Sequence, residues 1–181
     1  TYQYCSDFAT SWTGKVFEIN ITGVSTDDIC DSDSDGVLNG DDAFPNAVTE
    51  VENNSVIVTT TPGDEQSDGD VSDLIVADFT IPDGFVGIDK QVSFRITGLS
   101  TASAETLQVT IDFGEELPEG GVVFKSVSDI LTIIPNAVID GTTVTYSITD
   151  NGALDSNSEL GIIDDPVVVL VPPVLNATPV P

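Results

Sequence analysis

Histidine is absent from the chain, and cationic side chains are scarce, since four lysines and arginines stand against 31 aspartates and glutamates. Without imidazole, neither a Ser-His-Asp triad, nor a Cys-His pair, nor a histidine zinc site can form. The formal net charge of −27 argues against nucleic acid and anionic membrane surfaces as partners, because both present negative charge to the protein.

Other absences narrow the class of protein further. The chain has no glycine-rich phosphate loop of either common type, and no apolar run of about 18 residues that could span a bilayer. Catalysis by a pair of carboxylates needs only acidic residues, but among so many acids the sequence distinguishes no single pair. We therefore expect a protein that is not an enzyme and does not insert directly into a membrane.

The acidic residues themselves have two compatible explanations. They are interleaved with β-branched residues rather than run together, which disfavours a disordered acidic tail. They can form a solvated surface adapted to salt, where ions screen the self-repulsion. They can also include ligands for a hard cation such as Ca²⁺. Both explanations stay open at this point.

The two cysteines, Cys5 and Cys30, predict one disulfide and hence an extracellular or cell-surface location. An even count in a chain rich in Ser, Thr and Asp favours this pairing, and two free core thiols are the alternative. The bridge would close a loop of ~25 residues and stabilise the fold by roughly 3 kcal/mol.

Hydrophobic periodicity predicts strands throughout. Apolar residues alternate with polar ones in four runs, which predicts strands with one buried face: Phe17–Ile21, Val92–Ile96, Leu107–Phe113 and Val144–Ile148. Three continuous apolar runs predict strands that are buried on both faces or lie at a sheet centre: Leu74–Ala77, Ile130–Ile134 and Val167–Val171. Turn residues separate these runs, and Asp140-Gly141 fits a hairpin.

This pattern, without a sustained helical period, predicts an all-β fold: an Ig-like antiparallel β-sandwich with a small disulfide-tied N-terminal segment and a calcium-binding loop. We expect residues 1–50 to hold the N-terminal strands, the disulfide and the loop. Residues 51–181 should form the sandwich and end in an extended, proline-rich tail.

The strongest local signal is an acidic loop that begins at Asp31. Aspartates occupy its first, third and fifth positions, and Gly36 follows at the sixth, where a sharp turn is needed. The remaining ligands would come from the seventh, ninth and twelfth positions. The predicted calcium ligands are Asp31, Asp33, Asp35, the carbonyl of Val37, Asn39 and Asp42. A solvated acidic loop is the alternative interpretation.

The segment Asp31–Pro45, with its D-x-D-x-D-G core and trailing D-D-A-F-P, resembles a bacterial thrombospondin type 3 repeat. In that family the repeats wrap Ca²⁺ and act as stiff spacers beside other extracellular domains. Only one full repeat is present, so the resemblance implies calcium binding and does not imply a long rod.

A second resemblance covers roughly 90 residues and closes on a segment from Thr149 to Pro166. The chain is similar there to the choice-of-anchor domains, type U, of exported bacterial surface proteins. It keeps the pattern residues Asp150, Gly152, Asp155, Gly161, Ile163, Asp165 and Pro166, and has Asn151 and Asn157 in place of a Gly and an Asp. The resemblance implies a candidate second metal site at Asp150, Asp155, Asn157 and Asp165.

Together these patterns predict a non-enzymatic, calcium-stabilised structural protein of the cell surface. It would be a subunit of a filament or surface layer, assembled by strand exchange with further copies of itself. Candidate donor strands are Thr1–Phe8 and Val167–Pro181. The alternatives are an anchoring or spacer module that contacts neighbouring domains of a large adhesin, and a carbohydrate-binding module that uses Trp12 or Tyr146.

Calcium is expected to stabilise the protein. A ligand that binds only the folded state adds roughly 2.7 kcal/mol at a hundredfold excess over its dissociation constant. Thermal melting with and without a chelator tests this, and the chelator should lower the Tm. A Tm that the chelator leaves unchanged, at both low and high salt, would contradict calcium binding.

Cys5 and Cys30 are expected to be oxidised to each other. Because Cys30 directly precedes Asp31, the bridge would hold the entrance of the calcium loop. Intact-mass analysis after thiol alkylation of the native protein should find no alkylated cysteine, and two alkylated thiols would refute the pairing.

Overall fold

A computed structural model describes residues 32, 38–41, 47–61, 69–128 and 130–173. Within these ranges the regular structure is entirely β and there is no helix, so no helix there is long and apolar enough to cross a membrane. The strands are β1 Glu50–Asn53, β2 Val56–Thr61, β3 Asp70–Asp78, β4 Val86–Gly87, β5 Lys90–Thr97, β6 Thr106–Asp112, β7 Val122–Val127, β8 Ile130–Ile133, β9 Val138–Asp140, β10 Thr143–Thr149 and β11 Ile163–Val171.

The strands form two antiparallel sheets. The first sheet has the order β1-β2-β6-β10-β9. The second has the order β3-β5-β11-β7-β8, with the short β4 paired to one end of β11. The predicted all-β fold with antiparallel strands is therefore confirmed, and the arrangement is that of a β-sandwich.

Two hairpins in the first sheet show how local sequence sets the register. Asn54 and Ser55 both have positive φ, 51° and 64°, as the two-residue loop of a type I′ turn requires. Gly141 has a φ of 58° and opens the two-residue loop between β9 and β10. The hairpin predicted at Asp140-Gly141 is confirmed.

The main core lies between the two sheets. Alternate residues of each strand point inward, and the buried side chains are mostly β-branched or aromatic. Those with almost no exposed surface include Val58, Val92, Ile96, Val109, Ile111, Phe113, Val144, Ile148, Ile163 and Val167.

A smaller apolar cluster covers part of the outer face of the second sheet. Phe124, Val168 and Leu170 point outward from β7 and β11, and the segment 79–85 covers them. The rings of Phe85 and Phe124 pack edge to face, with centroids 6.0 Å apart. Because of this cover, residues 167–170 of β11 are buried on both faces, which confirms the prediction for Val167–Val171.

The other two continuous apolar runs lie elsewhere than predicted. Leu74–Ala77 belongs to β3 and Ile130–Ile133 forms β8, and these strands are the two edges of the second sheet. Several of their apolar side chains are exposed, Ile75, Ile130 and Ile133 among them. The prediction was wrong because an apolar run does not reveal whether a strand has neighbours on both sides.

Candidate functional site: a buried lysine, aspartate and tyrosine

A charged pair lies inside the sandwich, where the strand alternation places apolar side chains at neighbouring positions. Lys125 follows Val123 on the inward face of β7, and Asp165 lies between Ile163 and Val167 on the inward face of β11. Lys125 is 5% exposed and Asp165 is 1% exposed. Charged groups are almost never buried this deeply unless they are paired.

Every polar atom of this pair has a partner. The Lys125 Nζ donates to Asp165 Oδ1 at 3.0 Å, to the Asp164 carbonyl at 3.2 Å and to the Leu154 carbonyl. From β10 of the opposite sheet, the Tyr146 hydroxyl donates to Asp165 Oδ2 at 2.5 Å. The ammonium group thus sits in a cradle of three oxygens, and the carboxylate joins the two sheets.

The electrostatics of the site follow from its burial. Desolvation raises the pKa of Asp165, against the opposing effects of the Lys125 charge and the Tyr146 hydrogen bond. Burial and the adjacent Asp165 carboxylate together raise the pKa of Tyr146 well above its ordinary value. Tyr146 therefore keeps its proton as a donor to Asp165.

Residues 150–162 connect β10 to β11, and acidic side chains hold this segment in place by accepting backbone N–H groups. Asp155 accepts three such bonds, from Asn151 at 2.8 Å, Asn157 at 2.8 Å and Asp164 at 3.0 Å. Asn157 donates its Nδ2 to the Asp164 carboxylate at 3.0 Å. The segment presents the Leu154 carbonyl to Lys125, so its conformation and the charged pair depend on each other.

Asp150 is a buried carboxylate at the start of the same segment. Its Oδ2 accepts from the Gly161 N–H at 2.8 Å, and its own N–H donates to the Glu105 carbonyl at 2.8 Å. Its Oδ1 has no hydrogen-bond partner among the described residues.

A second ion pair lies on the outer face of the second sheet. Arg95 donates to both oxygens of Asp164, at 2.7 and 3.1 Å, and Asp73 approaches Arg95 to 3.9 Å. The hydrogen bond from Arg95 lowers the pKa of Asp164. The pair borders an open groove of about 780 Å³ that Ile75, Ser93 and Pro166 also line.

The predicted calcium loop lies largely outside the described residues, as does the predicted disulfide. The undescribed members are Asp31, Asp33, Asp35, Val37, Asp42, Cys5 and Cys30. Asn39 is described, and its carboxamide bonds Ser32 twice: Oδ1 accepts from the Ser32 N–H at 2.9 Å, and Nδ2 donates to the Ser32 hydroxyl at 2.8 Å. These contacts join the second and ninth positions of the loop.

The four residues of the candidate second metal site share one part of the fold, and three of them have their side-chain oxygens bonded to other groups. The carboxylate of Asp165 is bonded to Lys125 and Tyr146, and that of Asp155 to backbone N–H groups. The Oδ1 of Asn157 accepts from the Glu159 N–H. Within the described ranges, no group of three or more acidic, cysteine or histidine residues could hold a metal ion.

Sequence reasoning assigned no role to Lys125 and missed the pairing of Tyr146 with Asp165. One signal was available. Lys125 follows the apolar run Val122–Phe124 directly, two positions after Val123, in a strand whose residues 123–126 are all buried. In a chain with four basic residues, a lysine at a core position indicates a buried acidic partner.

No protein-family model, curated protein or solved structure matches this chain. The resemblances to thrombospondin type 3 repeats and to choice-of-anchor domains therefore stay predictions.

Replacing Lys125 by methionine should destabilise the fold strongly. The substitution keeps the volume but leaves the Asp165 carboxylate buried without its cation, which costs about 3–5 kcal/mol. Urea unfolding of Lys125→Met measures this. In the double variant Lys125→Met with Asp165→Asn, the neutral amide still accepts from Tyr146, so part of the loss should be recovered. Equal losses in the single and double variants would contradict the electrostatic explanation.

Proposed function

We propose that this chain is a non-enzymatic structural module of the cell surface, and that its sandwich associates with a second copy through the free edge of β8. The observation that carries the proposal is an edge strand with exposed apolar side chains and no charge. The secreted location, calcium stabilisation, Ig-like classification and assembly into a filament or layer belong to this proposal and rest on the sequence patterns.

The described residues include four edge strands, which differ in their protection against pairing with other chains. An unpaired edge offers a row of backbone donors and acceptors, and soluble proteins block it with charges, prolines or bulges. β1 carries two glutamates, β9 carries one aspartate, and β3 carries three aspartates and a break in its register. β8, with the sequence Ile-Leu-Thr-Ile, has none of these features.

The surroundings of β8 extend the apolar surface. Val127, Ile130 and Ile133 are exposed, and Val127 on β7 pairs directly with Ile130 on β8. Among the described residues, β8 is hydrogen-bonded on one side only, to β7. A strand added on the other side would satisfy the free backbone groups and cover apolar side chains.

The negative charge of the chain limits which segment can pair with the edge of β8. An edge without carboxylates brings no like charges opposite each other when a second copy approaches, whereas pairing at β1, β3 or β9 would do so. Of the two predicted donors, Val167–Pro181 begins with residues 167–171, which are unavailable because they belong to the central strand β11 and pair with β5 and β7. Residues Thr1–Phe8 of a second copy, which contain a single acidic residue, Asp7, are the remaining donor.

Carbohydrate binding has less support at the described surface. Sugar rings commonly stack on an exposed aromatic side chain. The aromatic residue that lines the groove beside Arg95 and Asp164 is Phe94, and its side chain is buried in the core. Tyr146 is likewise buried, and Trp12 lies outside the described residues.

Replacing Ile130 by lysine should abolish self-association, because the charge would have to be desolvated at the edge of β8. Val86→Lys is the matched control, since Val86 and Ile130 are both 67% exposed and Val86 lies on the short strand β4. Sedimentation velocity in Ca²⁺ and high salt, which screen repulsion to within ~8 Å, should give oligomers for the wild type and Val86→Lys, and monomers for Ile130→Lys.

Each part of the proposal would be contradicted by a different experimental result. A wild-type chain that stays monomeric under these conditions would favour the adhesin-module alternative. Oligomers of Ile130→Lys would rule out the β8 edge. Oligomers of a variant that lacks residues 1–8 would rule out the donor segment.

A further inference from the structure

We propose that the side chains of Lys125 and Asp165 condense into an intramolecular amide, an isopeptide bond that joins β7 to β11. The inference rests on the geometry of the buried site and is independent of self-association. It assigns a covalent modification to a pair of residues that otherwise form an ion pair.

The positions of the two residues suit such a bond. β7 and β11 are antiparallel neighbours, and Lys125 pairs with Val167, two residues after Asp165. The two side chains therefore lie diagonally on the same inward face, within reach of each other. The Nζ is already 3.0 Å from Asp165 Oδ1, and the surrounding core fixes both groups in contact.

Burial favours the reactive, uncharged form of the Asp165 carboxyl group. An ammonium and a carboxylate are unreactive toward each other, whereas a neutral amine is a nucleophile and a neutral carboxylic acid an electrophile. In an interior of low dielectric, a proton transfer along the hydrogen bond removes both charges. The desolvation that raises the pKa of Asp165 acts in this direction. The same enclosure keeps out water that would hydrolyse the product.

Tyr146 supplies the third component. Its hydroxyl donates to Asp165 Oδ2, the oxygen that gains negative charge when the amine attacks the carboxyl carbon. Because its pKa lies well above the ordinary value, the hydroxyl remains protonated and stabilises that charge. Tyr146 is thus a catalytic residue of the condensation, as a donor to the oxyanion.

The reaction balances without any further reagent. Lys125 Nζ transfers one proton to Asp165 Oδ1, and the amine then attacks the carboxyl carbon to form the Nζ–C bond. The bond from that carbon to Oδ1 breaks, and Oδ1 takes a second proton from Nζ and leaves as water. The products are one secondary amide and one water molecule.

The chain provides its own internal comparison. Lys90 contacts Glu115 as closely as Lys125 contacts Asp165, but both of these side chains are partly exposed to solvent. Water has access to both groups there, so no condensation is expected. The comparison of the two pairs therefore separates the effect of proximity alone from the effect of proximity in an interior without water.

Intact-mass spectrometry of the full chain after reduction and alkylation tests the proposal, since this treatment removes the contribution of any disulfide. The wild type should be lighter than its sequence by the mass of one water, and proteolysis should yield a branched peptide that joins Lys125 to Asp165. Lys125→Met should have its full sequence mass, and Lys90→Met should retain the loss of one water. Asp165→Asn should reach the same product with the loss of ammonia.

A wild-type chain with its full sequence mass would overturn the proposal, as would a branched peptide between Lys90 and Glu115 instead. The role of Tyr146 has a separate readout. In freshly synthesised protein sampled over time, Tyr146→Phe should condense about 100-fold more slowly, the usual effect of removing one oxyanion donor. Condensation at the wild-type rate would overturn that role.

Discussion

The contact between Lys125 and Asp165 is the constraint on which the rest of the sandwich depends. A buried charge is tolerated only with its partner, so β7 and β11 must be neighbours in the correct register. The same carboxylate binds Tyr146 of the first sheet, and the same ammonium binds the carbonyl of Leu154. One pair of residues thereby fixes two strands, the spacing of the sheets and the path of the connecting segment.

The abundant acidic residues serve different purposes in different places. In residues 150–162, carboxylates replace regular secondary structure as the acceptors of backbone N–H groups. On three of the four edge strands they oppose pairing with other chains. A single number such as the net charge of −27 therefore conceals distinct structural roles. The basic residues are few, and the three in the described part each contact at least one carboxylate.

Period-2 alternation was sufficient to predict the all-β fold, because strands such as β5, β6 and β10 bury one face each. The sequence pattern does not reveal the order of strands in a sheet. The apolar runs in β3 and β8 were therefore predicted to be buried on both faces or to lie at a sheet centre. The buried site was only half predicted. Asp165 was identified from a motif and interpreted as a metal ligand, whereas its actual partner, Lys125, lies 40 residues earlier. Contacts between distant positions leave no mark in the local pattern on which such predictions depend.

The place of β11 in the second sheet also has a consequence for synthesis. It is the central strand of that sheet but follows every other described strand in the chain. As the polypeptide emerges from the ribosome, β5 and β7 each lack the neighbour on one side until residues 163–171 are available. The inner faces of the earlier strands then remain uncovered, since pairings of high sequence separation form late. The second sheet is therefore complete only once β11 is added, and until then its unpaired strand edges are open to chaperones.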